Sequence, residues 1–204
     1  MFFGDQRQSI PIDRSLPSEV LTIQRSSESP CLTSWPFWLG LLFPLFLTLL
    51  VYWPSLHNQF VNWDDTEAIQ WNPHLRSLTA HNYFWMFTTF HLGNWIPLTW
   101  FSLALDYRVG KLDPWVYHFH NLILHCLNTA WVYLLSIQVL RQVEKTRVNE
   151  IPIFEKKIIL PAAFLTALLF GLHPLHVESV AWATERKDVL YGFFFLQELD
   201  TSRA

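Results

Sequence analysis

Three long stretches without a charged residue dominate the hydrophobic pattern of this chain. They run from Trp35 to Trp53, from Val116 to Leu140 and from Ile158 to Leu172, and the last is longer if it continues to Leu175. A hydrocarbon core needs about 20 helical residues to cross it, so each stretch is long enough, or nearly so, to span a bilayer. A fourth apolar run, Val189 to Leu196, is followed by polar residues. The pattern predicts an all-α, polytopic integral membrane protein with three spans and a truncated fourth.

Composition and charge agree with a protein surrounded by membrane lipid. Charged residues make up only 15% of the 204 residues, whereas about 25% is usual in soluble domains. The net charge of −3 gives no indication of a nucleic-acid partner. We expect three regions: a flexible tail (1–34), the N-terminal part of a membrane domain (35–196) and a truncated end (197–204).

The distribution of Lys and Arg predicts the orientation, because cytoplasmic loops carry an excess of these cations. Five of them lie in the loop between the second and third stretches, and three lie in the tail: Arg141, Lys145, Arg147, Lys156 and Lys157, and Arg7, Arg14 and Arg25. Both segments should therefore be cytoplasmic. Segments 54–115 and 173–188 should then be external, on the periplasmic or lumenal side.

A further uncharged stretch, Tyr83 to Leu105, is also long enough to cross a membrane. If it did so, the loop with five cations would move to the external side. It is also interrupted by His91, Gly93, Asn94 and Pro97. We therefore expect this aromatic-rich stretch to form interfacial helices rather than a span.

Two adjacent carboxylates, Asp64 and Asp65, follow the first stretch, with Glu67 close behind. A carboxylate near the membrane interface can act as a general base toward a substrate hydroxyl. The alternative is a solvated loop or a helix N-cap, because an Asp followed by Thr-Glu-Ala is a plausible helix start. Spacing alone leaves both interpretations open.

A second polar cluster follows the third stretch. It contains His173 and His176 with Glu178 nearby, and then Glu185, Arg186 and Lys187. The imidazoles and cations could supply donors to an anionic phosphate, with the two glutamates in support. The histidines could instead bind a divalent metal, but a third ligand at a defined spacing is missing, so we assign no metal-binding residue and identify no cofactor. An interfacial turn with solvated charges is the remaining alternative.

Two further polar features have simpler explanations. His125 lies inside the second stretch, where an ionisable residue indicates a function or, more simply, a neutral imidazole bonded to a neighbouring helix. Asp106 and Arg108 flank Tyr107, and we expect them to form a local ion pair.

At several places the sequence resembles a known family. An acidic motif, Phe60 to Asp65, is similar to one in the first external loop of GT-C-type membrane glycosyltransferases. Other segments resemble the transmembrane and tetratricopeptide-repeat protein O-mannosyltransferases and their bacterial relatives: 93–100, 113–118, 121–125, 169–182 and 185–190. The resemblance covers roughly residues 36–196.

The resemblance implies a polyprenyl-phosphate-linked sugar donor, with mannose as the sugar, and a protein Ser or Thr hydroxyl as acceptor. It implies that Asp64 or Asp65 is the base and that His173, His176, Arg186 and Lys187 lie near the departing phosphate. Family members have many more spans and external tetratricopeptide repeats. We therefore expect this chain to be an N-terminal fragment that is inactive alone. The alternatives are a non-catalytic membrane anchor or assembly module for a repeat protein, and part of a metal transporter.

Overall fold

The structure, a computed structural model, describes residues 35–145 and 156–201. Within those ranges every regular element is helical. Seven α-helices are present there: α1 (Trp35–Tyr52), α2 (Ala80–Thr88), α3 (Pro97–Gly110), α4 (Pro114–Lys145), α5 (Lys156–Gly171), α6 (Val177–Ala181) and α7 (Arg186–Thr201). The expected tail at residues 1–34 and the centre of the cationic loop lie outside the described residues.

Two segments are long and apolar enough to cross a membrane, which confirms the predicted membrane helices. They are Trp35–His57, which is α1 with the 3-10 turn after it, and Pro114–Glu144 in α4. A third segment qualifies if α5 and the residues Pro174–Ala181 count as one span, since the two parts are bent by 45°. The run Val189–Leu196 lies inside α7, which has 16 residues.

α4 is the central helix, because α1, α5 and α7 all pack against it. The outward side of α1 is lined with exposed apolar side chains such as Leu39, Leu42, Phe46 and Leu50. In water such a surface would be costly, whereas lipid solvates it. The exposed side of α1 therefore agrees with a helix that faces the bilayer.

Small residues allow the helix ends to approach closely near the turn between α5 and α6. A methyl group on Gly171 would lie 2.4 Å from the Thr48 hydroxyl and 3.0 Å from Thr129. The ring nitrogen Nε2 of His125 lies 3.0 Å from the Gly171 carbonyl oxygen. This contact confirms the simpler explanation of His125, namely a bond between neighbouring helices.

As the sequence predicted, the stretch from Tyr83 to Leu105 does not form one continuous helix. α2 ends at Thr88, and α3 begins at Pro97. Between them, His91 and Asn94 exchange backbone hydrogen bonds around Gly93, whose positive φ of 74° suits a residue without a Cβ. The break between the two helices follows from Gly93 and Pro97. The position of α2 and α3 at the membrane interface stays a prediction.

A compact core joins the loop helices to the start of α4. Its buried members include Ile69, Leu75, Met86 and Trp100, and Ala183 from the turn before α7 packs into it. This core places the acidic segment that follows α1 against the turn between α6 and α7, which brings the two predicted polar clusters toward each other.

Candidate functional site

Asp65 is buried and ties together two distant parts of the chain. Its side chain is 0% exposed, and one carboxylate oxygen accepts hydrogen bonds from the backbone N–H and the hydroxyl of Thr184, at 3.0 and 2.8 Å. The other oxygen accepts from the backbone N–H of Val61 at 3.0 Å. Both oxygens are therefore occupied by the protein. The carboxylate is neither solvated nor bonded as an N-cap to its own helical turn.

Asp64 is half-buried and faces a different environment. It lines a cleft of only about 20 Å³ together with Thr184 and Lys187, and with mostly apolar side chains of the α2–α3 turn and α3. We call this the Asp64 cleft. Trp100 also lines it, and the buried indole Nε1 of Trp100 has no hydrogen-bond partner among the described residues. The cleft thus combines a carboxylate with an ammonium group.

Lys187 and Glu185 form a close ion pair beside this cleft. The Lys187 Nζ lies 2.6 Å from Oε1 of Glu185, and both side chains are partly buried. The pair lies where α7 begins, so the positive end of the helix dipole adds to the charge of Lys187. Such a position favours an anion.

Arg186 points away from solvent and joins three helices. Its side chain is 1% exposed; Nε donates to the Asn121 side-chain oxygen, and Nη2 donates to the Tyr117 carbonyl, both at 2.7 Å. Its Nη1 pairs with Asp106, which also pairs with His120. The expected local pair between Asp106 and Arg108 is therefore wrong, because the packing of α3 against α4 and α7 offers Asp106 a buried cation instead.

The electrostatics of Arg186 are those of an interior ion pair. Burial lowers the pKa of the Arg186 guanidinium, and the Asp106 carboxylate opposes that effect. An arginine stays protonated in proteins, so Arg186 and Asp106 form a charged pair in the interior.

His173 and His176 lie in a separate aromatic cluster. The His176 ring is 4.6 Å from the ring of Phe170 and 5.2 Å from that of His125. The His173 ring is exposed and accepts a hydrogen bond from the backbone N–H of Leu175 at 3.2 Å. Neither histidine lines the Asp64 cleft.

The remaining predicted site residue, Glu178, is exposed in α6. Nearby, the Ser179 hydroxyl donates to Asp188 at 3.1 Å, which links α6 to α7. Within residues 35–145 and 156–201, no group of three or more His, Cys, Asp or Glu side chains is arranged to hold a metal ion.

Thr184, Asn121 and Trp100 were missed by the sequence analysis. Thr184 and Asp65 are 119 residues apart, and Asn121 and Arg186 are 65 residues apart. Neutral side chains of these types carry no local signal of a site. A weak indication was available for Asn121, because a buried amide in a membrane helix usually bonds to another helix.

Three curated relatives show what the chain is similar to. It is 31% identical over 161 residues to Protein O-mannosyl-transferase TMTC2 of Mus musculus, covering 75% of this chain and 17% of the relative. It is 34% identical over 157 residues to TMTC1 of Mus musculus, covering 72% and 15%. It is 30% identical over 198 residues to TMTC4 of Homo sapiens, covering 91% and 24%.

The resemblance to the transmembrane and tetratricopeptide-repeat protein O-mannosyltransferases is confirmed. No family model matches the chain, and no solved structure matches it. The chain spans 17% of the length of the TMTC2 relative and 24% of the TMTC4 relative. The relatives and the apolar helices together show that this is an integral membrane protein.

Proposed function

We propose that this chain supplies the acceptor-activating part of a membrane glycosyltransferase. The enzyme moves a sugar, with mannose as the expected one, from a polyprenyl-phosphate carrier to a protein Ser or Thr hydroxyl. The observation that carries the proposal is the Asp64 cleft, in which the half-buried Asp64 and Lys187, the partner of Glu185, line one space. The names of the relatives support the same class of reaction.

The geometry favours Asp64 over Asp65 as the general base. A base must have an oxygen free to accept the proton of the acceptor hydroxyl. Asp65 uses both oxygens on Val61 and Thr184, whereas Asp64 is half-buried at the cleft wall. We assign Asp65 to positioning, because its bonds to Thr184 hold the turn before α7 against the acidic segment.

Lys187 is the residue best placed for the departing phosphate. Its ammonium group, which pairs with Glu185, lies at the N-terminus of α7, and both the ammonium and the helix N-terminus favour negative charge. Arg186 acts through position only, because its buried contacts fix the start of α7 beside the cleft. The proposal therefore keeps one of the four predicted phosphate-binding residues in direct contact with the donor, and leaves His173 and His176 outside the cleft.

The reaction balances with these groups. The acceptor oxygen forms a bond to the anomeric carbon while its proton passes to the Asp64 carboxylate. The bond between the anomeric carbon and the phosphate oxygen breaks with inversion, and the negative charge stays on the polyprenyl phosphate. Lys187 stabilises that charge as it develops, and a positioned donor of this kind is typically worth about 3–4 kcal/mol.

The test uses a chimera in which this chain replaces the matching segment of the Mus musculus TMTC2 protein. Transfer of labelled mannose from polyprenyl-phosphate-mannose to an acceptor protein is measured in isolated membranes. Asp64→Asn should lower the rate by about 10²–10⁴-fold without changing insertion, because the amide keeps the size and loses the basic oxygen. Asp65→Asn should lower transfer and thermal stability together.

Asp113→Asn is the matched control. Asp113 is exposed and accepts a hydrogen bond from the backbone N–H of Trp115, a role that an Asn side chain can also fill. Transfer by Asp64→Asn at the unmodified rate would overturn the assignment of the base. A chimera that inserts and is stable, yet transfers no sugar, would favour the anchor or assembly module instead.

A further inference from the structure

A second cavity lies apart from the Asp64 cleft and shares no lining residue with it. Its volume is about 340 Å³, within the range of small-molecule sites. It lies between the turn after Asp65 and helix α2, and its walls include Glu67, Trp71, His74, Trp85 and His91. We call it the Trp71 pocket.

Aromatic rings make up most of the wall of the Trp71 pocket. The rings of His74 and Trp85 are stacked 4.3 Å apart at an angle of 7°, and the His91 ring packs edge-on against Trp85 at 5.3 Å. Trp71 is 74% exposed, so its indole lines the pocket with little protein covering it. A ligand therefore meets rings that already hold one another in place, which lowers the cost of ordering them on binding.

The charge of the wall is negative. Glu67 is exposed and lines the pocket, and it forms no ion pair with any residue in the ranges 35–145 and 156–201. No Lys or Arg lines the pocket. The Nδ1 of His74 lies 3.0 Å from the side-chain oxygen of Asn82, so that nitrogen is bonded within the loop. An unpaired carboxylate with no cation beside it attracts a positive ligand.

Aromatic faces next to a carboxylate suit one kind of cation best. A positive charge over the face of a Trp ring is attracted by the ring quadrupole, and aromatic walls recognise quaternary ammonium groups in this way. A primary ammonium or a guanidinium carries N–H groups, each of which needs an acceptor once water is removed. A trimethylammonium group has no N–H and presents apolar methyl groups to the rings.

We propose that the Trp71 pocket binds the trimethylammonium group of a phosphatidylcholine headgroup. The exposed rings of Phe84 and Phe87 flank Trp85 on α2, and aromatic side chains of membrane proteins gather at the level of the lipid headgroups. A membrane lipid is therefore the nearest source of such a cation. The inference uses the predicted interfacial position of α2 and does not rest on the reaction proposed for the Asp64 cleft.

Two other ligand classes fit less well. An anion would face the Glu67 carboxylate and would find no Lys or Arg in the wall. A neutral aromatic group would stack on Trp71 without engaging the charge of Glu67. A cation with an apolar surface is the chemistry that uses both the rings and the carboxylate.

The test follows binding of choline chloride and of water-soluble dibutyroylphosphatidylcholine to the purified 204-residue chain by saturation-transfer NMR. The chain is held in a maltoside detergent, which contains no ammonium group. The N-methyl protons of both ligands should give saturable signals. 3,3-Dimethylbutanol, a neutral molecule with the shape of choline, should bind about tenfold more weakly than choline. Dibutyroylphosphatidylglycerol, which keeps the phosphate and the acyl chains, should not compete with either ligand.

Two pocket variants and two matched controls locate the site. Trp71→Ala and Glu67→Gln should each weaken binding of both choline ligands about tenfold, because each removes one of the two attractions. Trp63→Ala and Asp113→Asn make similar changes at exposed residues that do not line the pocket, and should bind as the unmodified chain does. If Trp71→Ala does not fold, Glu67→Gln decides the result, since it changes only the charge of an exposed side chain.

Four results would overturn the proposal. They are no saturable binding of choline by the unmodified chain, equal binding of choline and 3,3-dimethylbutanol, unchanged binding in the folded pocket variants, and binding of choline without binding of dibutyroylphosphatidylcholine. Displacement of choline by butylammonium or ethylguanidinium at lower concentration would also overturn it, because the pocket would then prefer a Lys or Arg side chain of a protein partner.

Discussion

Loss of the buried Arg186 guanidinium should destabilise this protein strongly. Arg186→Met keeps the length and apolar character of the side chain and removes its charge. It leaves three buried acceptors without their donor: the Asn121 oxygen, the Tyr117 carbonyl and the Asp106 carboxylate. The charged one matters most, because His120 would then be the only ionic partner of Asp106 among residues 35–145 and 156–201.

The expected loss of stability follows from the removal of one partner of a buried ion pair. Such a change typically costs about 3–5 kcal/mol, because a charge stays in the interior without compensation. Each orphaned neutral acceptor adds up to about 1–3 kcal/mol, although water that enters the site offsets part of this. We therefore expect the free energy of unfolding to fall by about 4 kcal/mol, a large share of the 5–15 kcal/mol typical of folded domains.

The chain contains its own reporter for this measurement. Cys126 is buried and has a free thiol, so a fluorogenic thiol reagent labels it only when the helices around α4 separate. In a Cys31→Ser background, labelling against temperature or denaturant gives the unfolding transition. Arg186→Met should shift the transition far below that of the unmodified chain.

A matched substitution and a double variant make the result decisive. Arg108→Met makes the same chemical change at an exposed position of α3 and should stay within about 0.5 kcal/mol. Arg186→Met combined with Asp106→Asn should cost about 1–3 kcal/mol less than the two single changes added together, because the double variant leaves no charge buried. Equal losses for Arg186→Met and Arg108→Met, or a strictly additive double variant, would refute the ion-pair argument.

Three further predictions concern the membrane helices and the connection between the loops. In a Cys31→Ser background, an impermeant thiol reagent added outside intact cells should label Gln70→Cys but not Asn149→Cys; the reverse pattern would overturn the predicted orientation. Gly171→Ala should destabilise the chain by about 1–3 kcal/mol in the Cys126 labelling assay, because the added methyl group meets Thr48 at 2.4 Å, and a neutral result would contradict this packing. Thr184→Val should destabilise it by about 1–3 kcal/mol, since Asp65 loses a hydroxyl donor in the interior, whereas unchanged stability would show that this bond is dispensable.

The membrane helices could be predicted from the sequence because their signal is local. Long uncharged stretches identify α1 and α4, since charged side chains are too costly in hydrocarbon to be tolerated there. The break between α2 and α3 was equally readable, because Gly93 and Pro97 alter the backbone at the positions they occupy. The family resemblance also rested on short contiguous motifs.

The roles of the charged residues could not be read in the same way. Adjacent Asp64 and Asp65 look equivalent in the sequence, yet one lines a cleft and the other is buried against Thr184. Similarly, Arg186 and Lys187 are neighbours, but one faces the interior and the other the cleft. A step of one residue along a helix rotates the side chain by about 100°, so neighbours meet different surroundings that depend on distant segments.

The sequence by itself therefore determined that this is a membrane protein with helical spans, and where its polar clusters lie along the chain. The tertiary structure decided which members of those clusters meet. The pairings of Asp106 with Arg186 and of Asp65 with Thr184 both depend on how the helices pack. Local periodicity relates residues three or four positions apart, whereas contacts across 65 or 119 residues arise only once the helices and their loops are folded together.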